Sequence, residues 1–405
     1  MRPLYRFFAV VLTACCASLL PADDAKPAPA DGFEPLFNGK NLDGWVNVNC
    51  APDTFFVKGD EVVTTGKPTG FLRTTKQYEN FVLEMDWMHV NTKEVGNSGL
   101  FVWGDPLPAV GTPYTRGIEV QVLVNLEYKD KQGRVTATSH GDLFSIWGAA
   151  CVPDRPHPSG SQRCLPSENR ARGGGEWNHY RVTANDGVIK LEVNGKGVSG
   201  VSKCNPRKGY LALESEGAEC HFKNIRIKEL PSTNPKPAEC AKVAEGHVSL
   251  FNGVNLKGWK AKNGGWKAND GVLACAGDAA LKSEKELDQY ELIFDWKLPA
   301  KSDRKLEVSV GELSFGITPD ERFVVATRGS SVKGGPVTTP RYIKPGGWTR
   351  VRILRDNASC LVSSNGDEVT KMTSEDGPVG GPITFTAAKG LEIMNVFVRE
   401  LKEKK

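Results

Sequence analysis

The sequence predicts an all-β protein made of two tandem β-sandwiches of one type. Three observations predict it. The stretch LFNGKNLDGW at 36–45 recurs as LFNGVNLKGW at 250–259, with eight of ten positions identical. Short runs of alternating apolar and polar residues are bounded by Asn-Gly and Asp-Gly pairs, the signal of tight hairpin turns. Helical periodicity is nearly absent, and only residues 283–289 have the spacing of a turn or two of helix.

Composition narrows the class. The chain has 405 residues, 52 Lys+Arg against 48 Asp+Glu, and a formal charge of +4. That balance predicts neither a nucleic-acid binder nor a binder of acidic polymers. No apolar run reaches the roughly 18 residues that a membrane span needs. Forty-three Gly and 25 Pro supply the turns that separate short strands.

Residues 1–22 read as a secretory signal peptide. Arg2 and Arg6 precede an apolar run at 7–20, and Pro21-Ala22 marks the exit. Cleavage is expected near Ala22, which makes the protein exported, periplasmic or extracellular. LTAC at 12–15 also resembles a bacterial lipobox, which would make Cys15 a lipid-anchored N-terminus. Residues 23–32 form a Pro/Ala-rich tether.

The first sandwich is expected over 33–230. Its strands are read from FVLEMDW (81–87), GIEVQVL (117–123), VIKLEV (188–193) and residues 222–227. Type I′ turns are expected at Asn38-Gly39, Asp186-Gly187, Asn194-Gly195, Asp270-Gly271 and Asn365-Gly366. Residues 231–246 are a linker, opening with PSTNPKP. The second sandwich follows over 247–402. Trp87 to Trp177 spans 90 residues but Trp296 to Trp348 only 52, so the first copy carries 38 extra residues. Features that only the first copy possesses are the better candidates for chemistry.

Those features are few. Asn97-Ser98-Gly99 precedes a strand. Glu119 and Gln121 alternate with Ile118, Val120 and Val122, so both share one strand face. That face is either a ligand surface or a solvated exterior. His140-Gly141-Asp142 offers an imidazole for acid-base or metal work. Glu214 and Glu216 end a strand whose counterpart in the second copy has no carboxylate. Trp103 and Trp147 can stack on a flat ligand face or fill core. His157 and His179 look structural. Eight cysteines remain beyond Cys15 and Cys16, and export permits disulfides. Cys151–Cys164 is the favoured pair, and Cys275–Cys360 a second. There is no C-x-x-C, G-x-S-x-G, H-E-x-x-H or P-loop motif.

Taken together, LFNGxxLxGW, NSG before a strand, GIEVQVL, EWNHYRV, the VNG hairpin, GYLALESEG and FKNIRIKEL resemble the 3-keto-disaccharide hydrolase domain family across about 33–230. The second copy resembles it in framework only. The resemblance implies a concanavalin A-like, laminarinase-like sandwich (jelly roll) and a carbohydrate substrate, an oxidised glycoside. It implies cleavage by removal of the C2 proton beside a C3 ketone, β-elimination of the glycosidic oxygen, and hydration. Carried over by position, Glu119 or His140 is the base. Asn97, Gln121, Trp103 and Glu216 line the substrate site. A divalent metal cation is implied as an aid in some members, with no ligand set. Many members have Arg where this chain has Trp103 and Asp where it has Val124. Those departures leave a second reading open, a carbohydrate-binding sandwich without turnover. Ordinary glycoside hydrolysis is a third, and requires two carboxyls across one bond, such as Glu119 and Glu216. The second copy lacks these side chains and is expected to be non-catalytic.

Overall fold

A computed structural model describes residues 31–91, 95–124, 141–158, 160–297, 299, 306–310, 313–317, 323–327, 332–333, 346–356, 359–374 and 380–401. The signal peptide, Cys15, nearly all of the tether and His140 lie outside the described residues.

The chain is all-β and forms two tandem sandwiches. In the first, a nine-stranded antiparallel sheet is centred on Asn178–Asn185, Phe81–His89 and Cys220–Glu229. A seven-stranded sheet faces it. Its order is Arg163–Cys164, Leu143–Ile146, Gly117–Val124, Gly96–Gly104, Gly209–Ser215, Gly70–Tyr78 and Trp45–Val48. Over its described residues the second sandwich repeats the plan with a nine-stranded and a six-stranded sheet.

Period-two alternation builds each core. Along Asn178–Asn185, Tyr180, Val182 and Ala184 turn inward while His179, Arg181 and Thr183 face out. Arg181 lies opposite Glu84 on the neighbouring strand and pairs with it. Trp87, Tyr180 and Phe222 fill the space between the two sheets. Burying a side chain such as Phe222 contributes about 1.5–3 kcal/mol.

Four of the five expected type I′ turns have both central residues at positive φ. They are Asp186-Gly187, Asn194-Gly195, Asp270-Gly271 and Asn365-Gly366. Asn38-Gly39 is different. Asn38 Oδ1 accepts from the amides of Lys40 (2.8 Å) and Asn41 (2.9 Å), so the pair shapes a loop and not a hairpin. The helical spacing at 283–289 is also corrected. Residues Ala279–Leu287 form a strand, and its register shifts between Lys282 and Glu286. That bulge buries Ser283 and Leu287 four apart, which imitates a helix in sequence.

The cysteine expectation is corrected as well. All eight described cysteines are free thiols, and seven of them are buried. Cys151 and Cys164 point their sulfurs at separate carbonyls, those of Gln162 and Leu165, each at 3.4 Å. Cys275 likewise donates to the Gly277 carbonyl at 2.9 Å.

Residues 231–246 are strapped along the first sandwich. The amides of Ala241 and Lys242 bond Lys208 O (2.7 Å) and Asp105 Oδ1 (2.9 Å). Gln77 Nε2 donates to Lys242 O at 2.8 Å. The sandwiches themselves meet through a third apolar cluster. Val48, Phe71, Phe101 and Ala212, on the outer face of the seven-stranded sheet, bury against Ile293 and Phe397 of the second sandwich.

Candidate active site

The seven-stranded sheet has two faces. Leu100, Val102, Ile118, Val120, Val122, Leu211 and Leu213 belong to the inter-sheet core. Alternation therefore sends Asn97, Gly99, Glu119, Gln121 and Glu214 to the opposite, outer face. A solvated face is one of the two readings of Glu119 and Gln121 in sequence, but they are only 6% and 5% exposed. Buried carboxylates on an outer face are unusual and make this a candidate site.

Gly99 makes the convergence possible. A Cβ there would sit 2.9 Å from Glu214 Oε2 and 3.0 Å from Glu119 Oε1. The two carboxyls thus cross above one residue that has no side chain. Glu216 follows on the same chain end. Its Oε1 accepts from Tyr114 Oη at 2.7 Å, and its Oε2 accepts from Asn97 Nδ2.

A directed chain of donors supports this arrangement. Arg163 Nε donates to Asp142 at 2.5 Å, and its Nη2 to Gln121 Oε1 at 3.3 Å. Gln121 Nε2 donates to Asn97 Oδ1 (2.7 Å) and Ser98 O (3.2 Å). Both hydrogens of the Gln121 amide are thereby spent, while Asn97 keeps one to give. Gln121 is better placed to orient Asn97 than to grip a ligand.

The electrostatics follow from burial. Glu214 is fully buried, and neither of its oxygens meets a donor group. A proton held between Glu214 and Glu216 is the one hydrogen bond open to them. Burial first, then the charges of Glu119 and Glu216, push the Glu214 carboxyl well above the usual carboxylate range. Glu119 is pushed the same way by burial and by Glu216, with Arg163 opposing. Glu216 is raised by burial, against the bonds from Tyr114 and Glu214. With donors on both oxygens, Glu216 is the member best suited to stay ionised, and Glu214 to stay protonated. Burial and the Glu216 charge hold the Tyr114 hydroxyl protonated.

Trp103, expected to line the substrate site, is elsewhere. At φ 57° its backbone leaves the strand's extended path, where the pairing with Tyr210–Ala212 also slips register. The ring turns into the inter-sheet core, edge-on to Phe81, and Nε1 donates to Glu79 O at 2.8 Å. Trp147 is the aromatic at the site. It is 52% exposed, and its ring stacks on Tyr114 at 6.2 Å and 12°. Tyr114, Arg163 and the role of Glu214 are absent from the sequence reading. Tyr114 meets Glu216 across 102 residues, and no local pattern marks that contact.

A cavity of about 1370 Å³ also opens between the sandwiches, beside Trp147, Arg73, Arg116 and Trp348. It excludes all three glutamates. Three of its cations are already matched, Arg116 to Asp105, Arg350 to Asp295 and Arg352 to Glu291. The carboxylate group therefore remains the better candidate. As for a cation, among the described residues no group of three or more His, Cys, Asp or Glu is arranged to hold a metal ion. Nor is any described helix long and apolar enough to cross a membrane.

Residues 32–228 and 246–402 both match the family described as the 3-keto-alpha-glucoside-1,2-lyase-like domain. A 3-keto-disaccharide hydrolase from Bacteroides thetaiotaomicron is 23% identical over 253 residues, covering 50% of this chain and 80% of that protein. A crystal structure of a candidate glycosyl hydrolase from Parabacteroides distasonis aligns with a TM-score of 0.38 at 23% identity, over 50% of this chain and 95% of that one. A CBM66 carbohydrate-binding module from Bacillus subtilis aligns at 0.33 and 14% identity, over 46% and 96%.

Proposed function

Because the chain belongs to the 3-keto-alpha-glucoside-1,2-lyase-like domain family, we propose that it is an exported enzyme that cleaves 3-keto-glycosides by elimination and hydration. Membership places it among carbohydrate-active hydrolases and lyases. The finer reading rests on one observation, the convergence of Glu119 and Glu214 over Gly99 beside an anchored Glu216.

The chemistry needs a base, an acid and a home for negative charge. Glu119 takes the C2 proton, and the C–H electron pair moves into an enolate on the C3 oxygen. Burial raises its basicity, which suits removal of a proton from carbon. When the ketone reforms, the C1–O bond breaks and a C1=C2 double bond remains. Protonated Glu214 delivers its proton to the departing oxygen. Water then adds hydroxyl at C1 and a proton at C2, while Glu119 loses its proton to solvent and Glu214 regains one from it. The free amide hydrogen of Asn97 is available to the enolate, and Glu216 keeps Glu214 protonated by its fixed charge. His140, the other candidate base in the sequence, lies outside the described residues.

The test is aglycone release from a 3-keto-glucoside beside its unoxidised parent, with and without chelator. Cleavage of the keto form alone is the expected result. Cleavage of the parent would point to direct displacement, for which retaining enzymes set two carboxyls about 5–5.5 Å apart. Binding of both sugars without cleavage would make the protein a non-catalytic carbohydrate-binding sandwich.

A further inference from the structure

The second sandwich, which lacks the candidate side chains, touches the loop that carries Tyr114. We infer that Asp295 and Asn395 of the second sandwich are positioning residues for the first one's site, fixing the 105–116 loop so that Tyr114 stays on Glu216. This rests on the proposed reading of Glu216 as a site carboxylate.

The contacts are specific and buried. The Gly111 amide donates to Asp295 Oδ2 at 2.9 Å. Asn395 Nδ2 donates to Thr112 O at 3.0 Å and to Asp295 Oδ2 at 2.6 Å. Arg350 locks Asp295 with two bonds of 2.7 and 2.8 Å. Asn49 of the first sandwich donates back to Asn395 Oδ1. Asp295 and Asn395 are 0% and 1% exposed, so these bonds have no competition from water. Gly111 has φ +71°, and a Cβ on it would lie 2.3 Å from Trp348 Cγ. The loop is thus seated against the second sandwich with no room to spare. Three residues after Gly111, Tyr114 stacks on Trp147 and donates to Glu216.

Comparing the repeats shows what changed. Asp86 and Asn224 are the first copy's counterparts of Asp295 and Asn395. Asn224 Nδ2 donates to Asp86 Oδ2 at 2.6 Å, and His179 binds Asp86 at 2.7 Å. There the pair is at the surface, partly buried Asp86 beside exposed Asn224. In the second copy Arg350 stands where His179 would be, and the same pair is buried on a loop of its neighbour. A framework bond of the fold has become a clamp. The apolar cluster of Phe71, Phe101, Ile293 and Phe397 holds the two sandwiches together around it.

The test uses the full chain with Asn395→Ala, Tyr114→Phe and both together. Each single variant should lower kcat/KM on a 3-keto-glucoside about ten- to hundredfold. The double variant should be no worse than Tyr114→Phe alone, because Asn395 acts through Tyr114. The acid limb of the pH profile should move to higher pH in both singles, since Glu216 loses one of the two bonds that oppose its burial and keeps that from Glu214, while Glu119 and Asp270 still face it. Multiplying losses, or an unmoved acid limb, would overturn the inference. Amide hydrogen exchange over 109–114 decides the clamp independently of activity. It should quicken in Asn395→Ala and in Gly111→Ala, and unchanged exchange in both would refute it. If the wild type cleaves no keto-glycoside, only the proposed reaction fails, and the exchange result still stands for or against the clamp.

Discussion

Glu119→Gln is expected to lower kcat on a 3-keto-glucoside by about 10²–10⁴-fold while leaving substrate binding within a few fold. The amide keeps the shape of the side chain and its place above Gly99, so what is lost is the ability to accept a proton. Folding should not suffer. Glu119 sits against Glu216 in a buried position, and a neutral group there removes repulsion. Single-turnover rates and equilibrium binding of the same substrate separate the two effects. A rate within tenfold of wild type would remove Glu119 as base and move that role to His140, the other candidate of the sequence.

Glu214→Gln is expected to make stability less dependent on pH. In the folded chain the Glu214 carboxyl holds its proton to higher pH than the unfolded chain does, because it is buried beside Glu119 and Glu216. A raised carboxyl contributes stability that is fully present below the unfolded value, about 4.3. That contribution is lost as pH rises through the folded value. The wild type should therefore lose stability from mildly acidic toward alkaline pH, and the glutamine variant should lose less. At the alkaline end the variant should be more stable by about 1–3 kcal/mol, the cost of one buried unsatisfied polar group. Thermal melts of both proteins from pH 5 to pH 9 measure it. A difference that stays flat across that range would show that Glu214 is not the protonated member. Turnover of the variant should also fall, because the amide has no acidic proton for the leaving oxygen.

Much of the architecture was legible in sequence, because it depends on local rules. Paired positive-φ residues such as Asn194-Gly195 dictate hairpins, and the alternation in GIEVQVL puts Glu119 and Gln121 on one face whatever lies beyond. The repeat exposed the second sandwich directly. What stayed hidden depends on contacts between distant segments. Glu119 reads as half-exposed until the rest of the site covers it. Trp103 follows the alternation of its strand until one bulge turns it into the core. Glu214 looks like the lesser member of a Glu-x-Glu pair, and only Gly99 on the next strand shows that it meets Glu119. Tyr114 carries no motif, and its position comes from a second sandwich whose Asp295 and Asn395 look like framework in sequence.

On the proposed mechanism Glu119 removes a proton from carbon. The most direct measurement is turnover of a 3-keto-glucoside in D₂O, with the first product followed by NMR against an enzyme-free control. Elimination followed by hydration requires one deuterium at C2 of the released sugar, installed at the rate of cleavage and absent with Glu119→Gln. Cleavage that leaves the C2 hydrogen in place would rule out elimination and point to displacement at C1.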